Sequence, residues 1–168
     1  MIEPAFKWRS ALPALAFLVT LHLARISRAE PVTICPGAAW ADDRGDRIQA
    51  HGGSILKLQG SYYWFGEDRS RENLPALRYV SCYVSTDLAH WRFRNQVLRQ
   101  ADPEHFGPHW LLERPKVFFN AKTRRFVMYM HIDGPAPGVA GDYSLARVGV
   151  AVSDRVDGDY RYVRASVL

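Results

Sequence analysis

The sequence predicts an all-β chain organised as two four-stranded blades of an incomplete β-propeller, and three observations carry that expectation. After residue 29 no segment sustains a helical period over ten residues or more, while short runs rich in aromatic and β-branched residues recur. Ala50–Glu67 (AHGGSILKLQGSYYWFGE) is echoed by Leu112–Asp133 (LERPKVFFNAKTRRFVMYMHID), with His51 four residues before Ile55 and Glu113 four residues before Val117. Both units then continue with two further strand-like runs in the same order. Four strands per repeat of this length suit propeller blades better than a sandwich.

The first 29 residues stand apart from this pattern. Lys7 and Arg9 precede a largely apolar stretch, Ala11–Ala24, and small residues at Ser27 and Ala29 occupy the positions a signal peptidase reads. An apolar core of about 14 residues suits an export signal and falls short of the ~20 that span a bilayer. A signal peptide over 1–29 is therefore expected, with a secreted or periplasmic product and no membrane contact once the leader is removed. Arg25 and Arg28, close to the cleavage position, leave an uncleaved anchor as the alternative. The leader carries Lys7, Arg9, Arg25 and Arg28 against Glu3, so three of the net +5 charges leave with it. The remaining 30–168 has interleaved charges near balance, which excludes a nucleic-acid footprint.

Within 30–168 the first blade spans about residues 50–100. Ser54–Leu58 and Ser61–Phe65 flank Gln59-Gly60, a two-residue hairpin turn by composition. Arg78–Ser85 and Trp91–Leu98 follow. The second blade, about 112–168, repeats the order with Lys116–Phe119, Arg125–His131, Ala146–Ser153 and Tyr160–Val163. Its turns are Asn120–Thr123 and Asp157-Gly158-Asp159. The offset between equivalent positions grows from about 62 at the first strand to about 69 at the last, as loop insertions on one face produce. Asp87 and Asp154 read as turn caps, and Trp64, Trp91 and Tyr160 as packing residues. Cys35 and Cys82 are the only cysteines. Export permits a bridge, but Cys82 in YVSCYV suits a buried thiol equally well, and the pairing stays open. Two blades leave sheet edges and a face unpaired, so self-association through them is expected.

Taken together, AHGG…YYWFGE, Ser85-Thr86-Asp87-Leu88-x-x-Trp91, LERPK and GVAVSD resemble glycoside hydrolase family 43, in the branch that contains exo-β-1,3-galactanases. The resemblance runs from about Trp40 to Val163. It implies a five-bladed propeller, of which this chain supplies the N-terminal two blades, with the site at the mouth of a central channel where innermost strands begin. It implies an inverting hydrolase acting on galactan, whose acid and base stand about 6.5–9.5 Å apart. The chain departs from the general family pattern in three ways. His51-Gly52-Gly53 stands where the first-blade base, an Asp, is usual. The second-blade motif reads Arg114-Pro115-Lys116, with its carboxylate moved forward to Glu113. The galactanase branch shares both changes. The general acid belongs to a later blade, so this chain alone is expected to bind sugar weakly and to catalyse poorly or not at all.

By that resemblance Glu113 contacts hydroxyls of a terminal galactose or tunes the acid, with Arg114 and Lys116 beside it to hold it ionised. A structural ion pair with either cation is the alternative. Glu67 offers a bidentate acceptor for sugar hydroxyls, or is a solvated acid beside Asp68 and Arg69. His51 reaches the channel or braces the Gly52-Gly53 turn, glycines suited to close backbone approach. Tyr143 resembles a tyrosine at the pocket rim, against a packed loop aromatic. Trp110 offers a stacking face, against simple packing. Glu113, His51, Glu67, Arg114, Tyr143 and Trp110 are thus the candidate substrate residues for a galactose-containing carbohydrate. No cofactor or metal is expected, since His105 and His109 lie in a Pro/Gly-rich loop rather than on a helix. A non-catalytic carbohydrate-binding fragment and a β-sandwich interaction module are the competing readings.

Overall fold

The computed structural model describes residues 32–70, 78–100, 110–134, 143 and 145–167; the leader and the pair His105/His109 lie outside them. Eight strands form two antiparallel sheets. The first holds β1 (His51–Leu58), β2 (Ser61–Asp68), β3 (Tyr79–Ser85) and β4 (Arg92–Arg99); the second holds β5 (Leu111–Asn120), β6 (Arg125–Asp133), β7 (Arg147–Ser153) and β8 (Arg161–Val167). Each sheet is a simple meander with its strands in chain order. These are two propeller blades.

Local chemistry explains the turns. Gln59 (φ 48°) and Gly60 (φ 82°) are both left-handed, as a two-residue turn that matches strand twist requires. The β5–β6 turn is held by the Thr123 amide donating to Asn120 Oδ1 at 3.1 Å. After β3, Asp87 Oδ1 accepts from the amides of Ala89 and His90, confirming its capping role. Asp154 differs from expectation: it pairs with Arg125 at 3.1 Å, and Ser153 Oγ takes the Arg155 amide instead.

The innermost strands begin earlier than their apolar runs suggest. β1 starts at His51 and β5 at Leu111 because each absorbs an irregularity as a bulge, between His51 and Ser54 and between Glu113 and Lys116. Gly52 (φ 56°) and Arg114 (φ 53°) occupy the left-handed position of the two bulges. Pro115 sits inside the second, where its missing N–H breaks no ladder bond. The blades meet here. Ser54 Oγ donates to the Pro115 carbonyl at 2.9 Å, and Lys116 Nζ donates to the Gly53 carbonyl at 2.9 Å.

A main core fills the space between the blades, with Phe65, Val80, Cys82, Val97 and Leu98 facing Leu112, Val117, Met128, Met130, Ile132 and Ala151. A second cluster covers the opposite face of the first blade: Ile48 and Ala50, from the segment before β1, pack with Trp40, Trp64, Tyr83, Trp91 and Phe93. Gly66 is required here, since a Cβ on it would fall on the Ala50 backbone. At the outer edge Arg94 pairs with Asp157 at 2.6 Å, Asn95 donates to Asp159 at 3.0 Å, and the Tyr160 amide bonds the Val97 carbonyl. The second blade leaves Phe118, Tyr129, Val163 and Val167 exposed on its own far side. Sheets that are apolar on both faces, with first strand against first strand, correct the sandwich alternative, in which each sheet buries one face. Cys35 is exposed and Cys82 buried, and both are free, which answers the pairing left open. No helix among the described residues is long and apolar enough to cross a membrane.

Three buried or half-buried carboxylates tie segments together. Burial pushes the Asp68 carboxyl up, but hydrogen bonds from Ser70, Ser81 and Gln96 outweigh it and hold the group below its ordinary value. The same balance holds for Asp157 through Arg94 and Arg155, and for Asp42 through Arg44. A depressed folded-state value contributes stability above the unfolded carboxyl pKa and loses it as pH falls through the folded one. The midpoint of guanidinium unfolding is therefore expected to drop steeply below about pH 4 and to be flat above about pH 5. D157A, which leaves Arg94 without its partner across the blade seam, is expected to cost about 2 kcal/mol at neutral pH.

Candidate functional site

The two bulges carry the chain's polar strand starts to the same end of the blades. In the first blade His51 lies directly opposite Glu67 in the β1–β2 ladder; in the second Glu113 lies directly opposite His131 in the β5–β6 ladder. The repeat thus places one imidazole and one carboxylate at each mouth position and exchanges which strand holds which. Opposed residues of an antiparallel pair project to the same face, so each pair shares a side.

Glu113 is largely buried and its two oxygens have different neighbours. Oε1 accepts the Tyr143 hydroxyl at 2.8 Å, and Oε2 lies 3.7 Å from His131 Nδ1. The His131 and Tyr143 rings stack nearly parallel, 9° apart with centroids at 5.3 Å. The hydrogen bond to Glu113, together with that carboxylate's charge, raises the Tyr143 phenol above its ordinary value. The cations expected to hold Glu113 do otherwise. Lys116 reaches across to the first blade, and Arg114 is exposed with no ion pair among the described residues. Successive strand residues point to opposite faces, so a sequence neighbour is poorly placed to pair with Glu113.

Glu67 is buried, with 3% of its surface accessible, which corrects the solvated-acid alternative. Its Oε2 meets Arg69 at 3.1 Å and its Oε1 lies 3.8 Å from Arg78. Its charge, like that of Arg114, acts on the Tyr143 phenol, which places Glu67, Glu113, Arg114 and Tyr143 in one electrostatic neighbourhood. His51 is exposed and lines a hollow of about 290 Å³ with Trp40, Arg47, Ile48, Ala50 and Trp64. Gly52 packs on Arg114, and a Cβ on Gly53 would strike the Phe65 carbonyl, so both glycines serve close backbone approach.

Trp110 is half-buried and makes packing contacts, the second of the two roles the sequence offered for it. Its ring lies against Gly134 with the Arg147 guanidinium over it at 4.9 Å. It braces the root of the segment that carries Tyr143. There the fully buried Asp133 accepts from the Leu145 and Ala146 amides at 3.1 and 3.0 Å, with Arg147 Nε 3.6 Å from its other oxygen. Asp68 plays the matching part at the end of β2 by accepting from Ser70. His131, Arg78 and Asp133 are the residues of this cluster that the sequence reading passed over. His131 holds in β6 the ladder place that Glu67 holds in β2, each opposite the polar start of an innermost strand, but string position hides this because the two hairpin turns differ in length and the last residue of YYWFGE falls level with Asp133 in MYMHID. No group of three His, Cys, Asp or Glu among the described residues is arranged to hold a metal.

No protein-family model and no curated protein sequence matches the chain. Solved structures do. An exo-β-1,3-galactanase from Phanerochaete chrysosporium, solved with β-1,3-galactotriose, is 40% identical with a TM-score of 0.69 over 77% of this chain and 29% of its own. An exo-β-1,3-galactanase from Clostridium thermocellum is 42% identical with a TM-score of 0.66, over 79% of this chain and 27% of its own. A family 43 β-1,3-galactosidase solved with galactodeoxynojirimycin is 39% identical with a TM-score of 0.67, over 79% and 38%. The chain thus spans well under half the length of the structures it matches. At 39–42% identity over more than three quarters of its length, the chain belongs to glycoside hydrolase family 43, alongside the exo-β-1,3-galactanases, and matches a part of their length.

Proposed function

We propose that this chain forms the galactose-binding wall of an exported, galactan-degrading glycosidase. The observation that carries the reading is the Tyr143 hydroxyl bonded to Glu113 at the start of β5, with the exposed Arg114 packed on Gly52 of β1 and Glu67 in the β1–β2 ladder opposite His51. Carboxylates accept hydrogen bonds from vicinal sugar hydroxyls, a guanidinium supplies the donors a ring oxygen or hydroxyl needs, and the Tyr143 phenol, whose one proton goes to Glu113, leaves its oxygen as a further acceptor. Both carboxylates are already anchored, Glu67 by Arg69 and Arg78, Glu113 by Tyr143. Such an arrangement orients a sugar at low reorganisation cost and is ill-suited to delivering a proton to a leaving oxygen. The inverting reaction needs a separate acid and base on opposite faces of the scissile bond. In this reading neither comes from these two blades, and the chain by itself binds without turning over. Solved relatives that hold β-1,3-galactotriose and galactose support the choice of sugar.

Titration of the purified chain with galactose is expected to give a dissociation constant in the millimolar range, on the order of −4 kcal/mol. E113Q and Y143F should each weaken it about ten-fold, the cost of one charge-assisted hydrogen bond. Hydrolysis of β-1,3-galactan should stay at background, and clear turnover by the chain alone would overturn the division of labour proposed here. Export is inferred from the basic and then apolar start of the sequence. Amino-terminal sequencing of the protein recovered from outside the cytoplasm is expected to begin at Glu30; recovery of the intact leader with the membrane fraction would favour the anchor instead.

A further inference from the structure

We propose that His131 is a positioning residue for Glu113, acting through its Nδ1 atom, and that sugar affinity at the mouth depends on that atom; the second part rests on the binding function proposed above. Three observations lead to it. His131 Nδ1 is buried and has no hydrogen-bond partner among the described residues, an expensive condition for a polar atom on a packed strand. The charged group it faces is Glu113 Oε2, at 3.7 Å, one small side-chain rotation from a hydrogen bond. The imidazole plane is set from outside by the Tyr143 ring, stacked at 9°, and that same tyrosine donates to the other Glu113 oxygen.

Glu113, His131 and Tyr143 therefore form a closed unit. The phenol fixes one carboxylate oxygen, the imidazole faces the second, and the stack couples the two holders. Glu67 offers a contrast within the chain, since its carboxylate is gripped by two guanidinium groups. Glu113 sits on the strand opposite to its histidine by register alone, so Nδ1 is the polar atom that the β5–β6 pairing itself delivers to the carboxylate. A proton on Nδ1 orients Oε2, and the outward lone pairs of both oxygens remain for sugar hydroxyls.

The test compares the full chain with H131F and H131N. Phenylalanine keeps a ring on Tyr143 but removes the nitrogen; asparagine loses the ring but places an amide N–H where Nδ1 stood. Thermal midpoints within a few degrees of the parent would establish that both fold. In galactose titrations H131F is expected to lose about five-fold or more in affinity and H131N to stay within about three-fold of the parent. Equal affinity in all three would overturn the proposal, and so would equal loss in both variants, which would assign the effect to the ring. A second readout needs no sugar. With ¹³Cζ-labelled tyrosine, assigned by Y143F, the Tyr143 phenol should titrate lower in H131F than in the parent, because the Glu113 acceptor is no longer held against it, while H131N should match the parent. If the parent fails to bind galactose, the functional reading falls. The tyrosine titration then decides the positioning role by itself, and an unchanged Tyr143 in H131F would refute it.

Discussion

The seam between the two innermost strands is the constraint on which the site depends. Gly52 and Arg114 take left-handed backbone at matching points, and each bulge frees a short backbone segment that the other blade then binds. Ser54 reaches the Pro115 carbonyl and Lys116 reaches the Gly53 carbonyl, so polar groups left over from interrupted ladders are satisfied between blades instead of within them. A regular strand at either place would keep its bonds at home and lose the cross-link. The seam contacts begin two residues after His51 and two after Glu113, so they tie the starts of the two innermost strands together.

Around that seam the energetics divide by location. Apolar burial between the blades supplies the bulk of cohesion, from Phe65 and Val80 on one side to Met128, Met130 and Ile132 on the other. The outer edge is closed by charge and hydrogen bonding, in which Arg94 and Asp157 take the central part. At the mouth, buried aspartates at the ends of β2 and β6 root the loops: Asp68 gathers Ser70, Ser81 and Gln96, and Asp133 gathers the backbone before β7. Tyr143 is presented from the second of these roots. The path from core to function is thus short: packing fixes the strands, the aspartates fix the loops, and Tyr143 meets Glu113.

Much of this was legible in the sequence, for physical reasons. Alternating aromatic and β-branched runs bounded by Gly-, Asn- and Asp-rich turns placed all eight strands, and the repeat placed the blades. The starts of β1 and β5 were not legible, because Gly-Gly and Arg-Pro normally end strands and only tertiary pairing turns them into bulges. The partners of Glu113 were also hidden. Adjacency in sequence favours Arg114 and Lys116, whereas strand geometry sends them elsewhere and brings His131 from the facing strand. The contacts of Trp110 with Arg147 and Gly134, remote in sequence, likewise leave no local mark.

The central claim is that galactose meets this chain at the mouth formed by Glu67, Glu113 and Tyr143. Backbone amide chemical-shift mapping of the isotopically labelled chain, with galactose added stepwise, tests it most directly. The account predicts saturable shifts concentrated at Gly52, Gly53, Glu67, Glu113, His131 and Tyr143, with the outer edge around Arg94 and Asp157 unmoved. Shifts centred instead on the hollow beside Trp40 and Arg47, or none at sugar concentrations of tens of millimolar, would contradict it.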